Sequence, residues 1–263
     1  MSCYFDAYRI DHVLGFFRIW EIPVSATQGL LGQFSPALGL TQQEIESYGI
    51  TFSEQQFTRP FINNQMIERV FHAQASYVKE HYDDIYTLKP QFDTQQKIAT
   101  AFANKHTSQD YMLRNGLYTL LNNVLFLNDK QDNKLFHPRI IAHTTFAYET
   151  LSEHHKNCFN RLYNNYFYQR NNQFWYREAM KKLPKLIEAT HMLVCAEDLG
   201  MVPTCLSWVM QQLRILSLEV QSMPKATNTQ FTNLHNVPYR SVCTPSTHDM
   251  PTLRQWWDED TTR

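Results

Sequence analysis

Past residue 190 the chain alternates short apolar runs with amphipathic stretches, a pattern that few folds accept. Residues 191–196 are an apolar run, 203–213 read as an amphipathic helix with Pro203 suited to its first turn, and 216–223 and 241–244 read as further short strands. A helix is expected over 252–257. Strand-sized runs separated by helix-sized ones predict parallel βα units. In such sheets chemistry sits at the C-terminal ends of the strands. Three acidic residues stand at ends of this kind. Asp11 closes Tyr8-Arg9-Ile10-Asp11-His12, after an expected strand over 3–10. Glu197 stands in Cys195-Ala196-Glu197-Asp198-Leu199-Gly200, and Asp249 in Ser246-Thr247-His248-Asp249.

Carboxylates so placed suit glycoside chemistry, in which one is nucleophile, one is acid/base and one holds the sugar in a distorted ring. Arg9 and Asp11 lie two apart and share a strand face, and a guanidinium beside a carboxylate favours its ionised, nucleophilic form. Partial burial at the end of an apolar strand would raise the pKa of Glu197, which suits a general acid. Each segment also has a plainer reading. Arg9–Asp11 reads equally as a strand-end ion pair, Glu197-Asp198-Leu199-Gly200 as a turn, Asp249 as a helix N-cap and His248 as a satisfied histidine. Their joint occurrence in one βα-patterned chain favours the chemical reading.

The bulk numbers narrow the partners. Hydrophobic residues are 43% and charged ones 19%, enough for a sizeable core, and the formal net charge of −1 with no long basic run argues against nucleic acid or an anionic membrane. Five cysteines (Cys3, Cys158, Cys195, Cys205 and Cys243) without a C-x-x-C favour neither a disulfide framework nor a zinc site, and fit a reducing cytoplasm. No apolar run reaches the length of a membrane span, and the N-terminus lacks the pattern of a signal peptide. No cofactor or metal is expected.

Between the first and second acidic residues the reading is coarser. Residues 13–40 predict a long loop with short helical turns, and Thr41-Gln42-Gln43-Glu44 a capping box opening a helix. Helices are expected over 66–82 and 94–104, a strand over 120–127, a turn over 128–133, and helix over 152–190, capped by Ser152 and kinked or divided at Pro184.

Three motifs carry a resemblance. Asp6-Ala7-Tyr8-Arg9-Ile10-Asp11-His12, Ala196-Glu197-Asp198-Leu199-Gly200 and Ser246-Thr247-His248-Asp249-Met250-Pro251-Thr252-Leu253-Arg254 resemble, in order, the catalytic signatures of the 4-alpha-glucanotransferases, the amylomaltase or disproportionating-enzyme family of the alpha-amylase clan. Phe17-Arg18-Ile19-Trp20-Glu21-Ile22-Pro23, Phe136-His137-Pro138-Arg139 and Trp256-Trp257-Asp258-Glu259-Asp260 extend the similarity, which is weakest over 50–115. Asp11 and Glu197 lie 186 positions apart. That gap resembles the insertion-bearing, plant cytosolic disproportionating-enzyme type rather than the compact bacterial amylomaltases.

The resemblance implies an α/β fold: a partial (β/α)8 TIM barrel, about strands 4 to 7, with a long, mainly helical insertion between strands 4 and 5. Residues 1–45 would carry the nucleophile strand, 46–150 the insertion, and 151–263 the acid/base and third carboxylate. It implies a cytoplasmic enzyme that moves glucosyl or maltosyl units between alpha-1,4-glucans such as maltose, maltodextrin, starch or glycogen, with retention of configuration. Asp11 would be nucleophile, Glu197 acid/base and Asp249 the third carboxylate, with Arg9, His12 and His248 binding substrate. The two reacting carboxyls would stand roughly 5–5.5 Å apart. A retaining alpha-glucosidase of the same clan and an inactive glucan-binding fragment are the alternatives. Strands 1 to 3 would be missing, so the chain alone is expected to fold poorly and to have little activity.

Overall fold

The computed structural model describes residues 3–82, 86–226 and 228–259; Asp260 lies outside them. The chain divides into two compact units, one of residues 1–19 with 171–263, the other of residues 20–170.

In the first unit, four short strands run parallel in the order Ala7–Ile10, Leu193–Ala196, Ser217–Val220, Ser241–Thr244. The first two pair in register from Ala7 opposite Leu193 to Ile10 opposite Ala196. The last two pair from Ser217 opposite Ser241 to Val220 opposite Thr244. Between the pairs, Leu216 N–H donates to the Val194 carbonyl at 3.0 Å and Ala196 N–H to the Leu216 carbonyl at 2.9 Å. The apolar runs form strands because their side chains find cover: Val194, Ala196, Leu218 and Val220 are buried.

Helix Asn172–Glu188 precedes the Leu193 strand, and helix Cys205–Leu213 packs against it with Cys205, Leu206 and Val209 buried. Pro203 stands outside the first turn, just before the N-cap Thr204, and its carbonyl accepts from Leu206 N–H at 3.0 Å. Pro184 lies inside this helix and does not divide it. It removes one N–H from the ladder, but Trp175, Ala179 and Leu183 anchor the buried face on the near side of it. The break lies upstream, at the π-helical turn Tyr166–Arg170.

The second unit is mainly helical. Ser108–Leu121 packs across Asn64–Phe71 and Gln95–Ala101, closing a core that includes Ile67, Phe71, Val78, Ile98, Leu113 and Leu117. The expected helix over 66–82 is two helices, Asn64–Phe71 and Ala75–His81, separated at His72, whose φ is +48°. A three-stranded antiparallel sheet places Leu135–Pro138 between Leu40–Thr41 and Phe126–Asn128. The expected strand over 120–127 is overturned: Leu120 and Leu121 end a helix, and only Phe126 onward is strand. Asn122 and Asn123 mark the junction, Asn122 as the C-cap of the helix, and both are buried like the apolar residues on either side. Residues 13–40 contain the expected helical turns, at Val13–Phe16 and Gly29–Leu31, and also two short strands, Ile19–Glu21 and Gln33–Ser35, that pair with each other.

Two expected helix starts are present. Thr41 and Glu44 form the reciprocal capping box, and Ser152 Oγ accepts from His155 N–H at 3.2 Å. No helix among the described residues is long and apolar enough to cross a membrane.

Candidate active site

The parallel register places the first two acidic residues at equivalent positions. Ile10 pairs with Ala196, so Asp11 and Glu197 are each one residue past the end of adjacent strands. Beyond that point the two chains stay joined. Glu197 N–H donates to the Ile10 carbonyl at 2.8 Å and Val13 N–H to the Glu197 carbonyl at 3.1 Å. His12 turns between them in the left-handed region, φ 50° and ψ 59°, and its N–H donates to Glu197 Oε2 at 3.0 Å. The other carboxylate oxygen, Oε1, accepts Leu199 N–H at 2.8 Å. Backbone donors from both strand ends thus aim the Glu197 carboxylate, which is half-buried. The turn closes through Gly200 at φ +95°, a conformation that side chains resist.

Asp11 is more open, its side chain 63% exposed. The Arg9 guanidinium donates to Asp11 Oδ1, as their spacing of two on one strand foretold. That hydrogen bond chiefly holds the Asp11 carboxyl below its ordinary range. Partial burial opposes it, and the charges of Arg9, His248 and His12 reinforce it. His248 Nε2 lies 3.3 Å from Asp249 Oδ2, and both side chains are exposed. Asp249 does not cap the following helix; Thr252 does, in a capping box with Gln255 that opens Leu253–Asp258.

Arg9 is therefore hydrogen-bonded to Asp11, and His12, the next residue along the chain, to Glu197. His248 joins them through its electrostatic action on Asp11, and Asp249 is attached through His248. A cavity of about 210 Å³ opens on the Arg9 face, lined by residues of all four strands and by Ser246.

Sequence reasoning did not single out a second layer. Asp198, next to Glu197, is buried and accepts from Leu218 N–H at 3.0 Å and from Lys225 Nζ at 2.8 Å. Lys225 also donates to buried Glu219 at 2.8 Å. The doublet Glu197-Asp198 was a signal for the first of these, since neighbours at a strand end leave on opposite sides. Nothing in sequence marked Lys225. Arg18 is also buried, stacked 4.8 Å from the Trp175 ring centre and donating to the Met201 carbonyl; burial lowers its pKa to about 10.

Comparison with known proteins gives a family. The 4-alpha-glucanotransferase family profile matches residues 1–263. A curated relative, the 4-alpha-glucanotransferase DPE2 of Oryza sativa subsp. japonica, is 38% identical over 270 residues, a stretch covering 99% of this chain and 28% of that protein. The chain thus spans little more than a quarter of the curated relative's length. No solved structure matches it.

Proposed function

The chain belongs to the 4-alpha-glucanotransferase family, and from that premise we propose that it carries the reacting carboxylates of an enzyme that moves glucosyl or maltosyl units between alpha-1,4-glucans. Maltose, maltodextrin, starch and glycogen are the proposed donors and acceptors, and the cytoplasm the proposed compartment. Asp11 attacks the anomeric carbon. As its carboxylate oxygen bonds to C1, the C1–O bond to the departing sugar breaks, and Glu197 gives that oxygen its proton. In the second half Glu197 takes the proton of the acceptor hydroxyl, whose oxygen displaces Asp11 and restores the original configuration. Arg9 keeps Asp11 ionised, Asp249 and His248 hold hydroxyls of the sugar next to the scissile bond, and His12 forms part of the pocket wall.

The observation that carries this reading is the register of Ile10 with Ala196, which sets Asp11 and Glu197 side by side one step past their strands. The four parallel strands are read as strands 4 to 7 of an eight-stranded barrel, with a mainly helical insertion after the first of them and the remaining strands supplied from outside residues 1–263. The 28% share of the rice relative supports that arrangement.

Incubating the full-length protein with maltose and glycogen is the test. Transfer releases glucose while the acceptor lengthens; hydrolysis alone raises reducing ends without lengthening. Asp11→Asn and Glu197→Gln are each expected to lower turnover at least about a hundredfold, the lower range of acid/base effects. Smaller losses contradict their roles.

A further inference from the structure

Beside the proposed acid/base lies a charge cluster, two buried carboxylates bridged by the exposed Lys225, with no part in the chemistry above. Glu197 and Asp198 leave opposite sides of the backbone, one toward the strand ends and one into the interior. Asp198 is 6% exposed and Glu219 7%. Lys225 Nζ lies 2.8 Å from Asp198 Oδ2 and 2.8 Å from Glu219 Oε1, so one ammonium bridges two buried carboxylates. Ser217 Oγ donates to the same Glu219 oxygen at 3.2 Å, and Leu218 N–H holds Asp198 Oδ1 at 3.0 Å. Glu197 in turn is aimed by Leu199 N–H, at 2.8 Å. Residues 197 and 199 flank Asp198, so any shift of Asp198 moves both ends of that hydrogen bond.

We propose that Lys225 is a positioning residue for Glu197: by clamping Asp198 to Glu219 it fixes the backbone of residues 197–199 and so the direction in which the acid/base delivers its proton. The inference rests on the assignment of Glu197 to proton transfer. Without the ammonium, two buried carboxylates face one another across the vacated position. Such a pair relaxes by separating or by taking up a proton. Either way Asp198 loses its link to Glu219 and keeps only the Leu218 N–H as its tie to the neighbouring strand. Lys225 and Asp198 also line two cavities of about 440 and 500 Å³, so direct sugar binding is the competing role of Lys225.

Two donor–acceptor pairs separate these roles in the full-length protein. With maltose and a glucan acceptor, the leaving oxygen must gain a proton and the incoming hydroxyl must lose one. With alpha-glucosyl fluoride and azide, fluoride leaves with the bonding pair and azide bonds to C1 as the Asp11 ester breaks, so neither half needs Glu197. Lys225→Met is expected to lower maltose turnover roughly ten- to a hundredfold, the scale of a small misplacement. KM and the fluoride–azide rate should stay within about twofold, and Lys225→Arg should restore transfer. Lys225→Gln, uncharged but still a donor, carries the same comparison should the Met variant not fold. Equal losses on both pairs, or a raised KM with kcat unchanged, overturn the proposal. Glu197→Gln run alongside must show the same selectivity, and more strongly. If it does not, the acid/base assignment itself is at fault; if it does and the Lys225 variants do not, only the inference fails.

Discussion

On the proposed mechanism, Arg9 sets the pH at which Asp11 is ready to react. A nucleophilic carboxylate must be ionised, and the Arg9 hydrogen bond holds the Asp11 carboxyl below its usual range against the opposing effect of partial burial. Activity therefore persists as pH falls through the ordinary carboxylate range and is lost only below it. Arg9→Met removes the hydrogen bond and its charge, so the acid limb of kcat/KM is expected to move to higher pH. A limb that stays in place contradicts the role given to Arg9. At this scale much was legible in sequence. Strand parity placed Arg9 beside Asp11, and the apolar run 191–196 placed Glu197 at a strand end. Lys225 was not legible. It stands five residues past Val220, in a segment with no periodicity, and its partners Asp198 and Glu219 meet it only through the parallel pairing. The N-cap reading of Asp249 failed because Thr252, with Gln255 three residues on, offers the better box.

Among the elements, the helical unit depends on one close approach. A Cβ at Gly116 would stand 2.3 Å from Phe71 Cε1 and 2.7 Å from Cζ, and Phe71 is buried in the core between the two helices. Gly116→Ala is expected to destabilise the protein by about 1–3 kcal/mol despite the better helix propensity of alanine. An unchanged or raised melting temperature contradicts that packing. A second test belongs to the Leu135–Pro138 strand. His137 is buried, with Nε2 2.7 Å from Asp129 Oδ2 and Nδ1 2.6 Å from the Tyr166 hydroxyl. Burial lowers its pKa, against the pull of Asp129, so the unfolded chain binds this proton more readily than the folded one. Stability is therefore lost as pH falls below about 6.5, at up to about 1.4 kcal/mol per pH unit, until the folded-state pKa is passed. His137→Gln should flatten that part of the urea-midpoint profile; a parallel profile contradicts it. Caps were readable here because one side chain and one N–H decide them. In the run 120–127 the break at Asn122 and Asn123 was passed over, because the apolar residues of the helix end before it and of the strand after it are buried alike.

For the whole molecule, alternation of apolar runs announced parallel strands, and four run parallel in chain order. The limits of the two units were less visible. The sequence placed junctions near 45 and 150, while the contacts divide the chain at 19/20 and 170/171. Aromatic packing accounts for the difference in extent: Phe34 meets Trp20 at 4.8 Å and Phe167 at 6.4 Å between ring centres, and Arg170 donates to the Gly39 carbonyl at 2.8 Å. Those long-range contacts leave no mark in composition. The central claim is that Asp11 forms the covalent bond to sugar, and it is open to one direct measurement. A glucosyl fluoride slowed by fluorine at C5 lets the first displacement outrun the second, so the glucosylated enzyme accumulates. Peptide mass spectrometry of the full-length protein should then find the sugar on the peptide containing Asp11, with none on Asp11→Asn. Label on Glu197, on Asp249 or on any other side chain, or fluoride released with no labelled peptide at all, contradicts it.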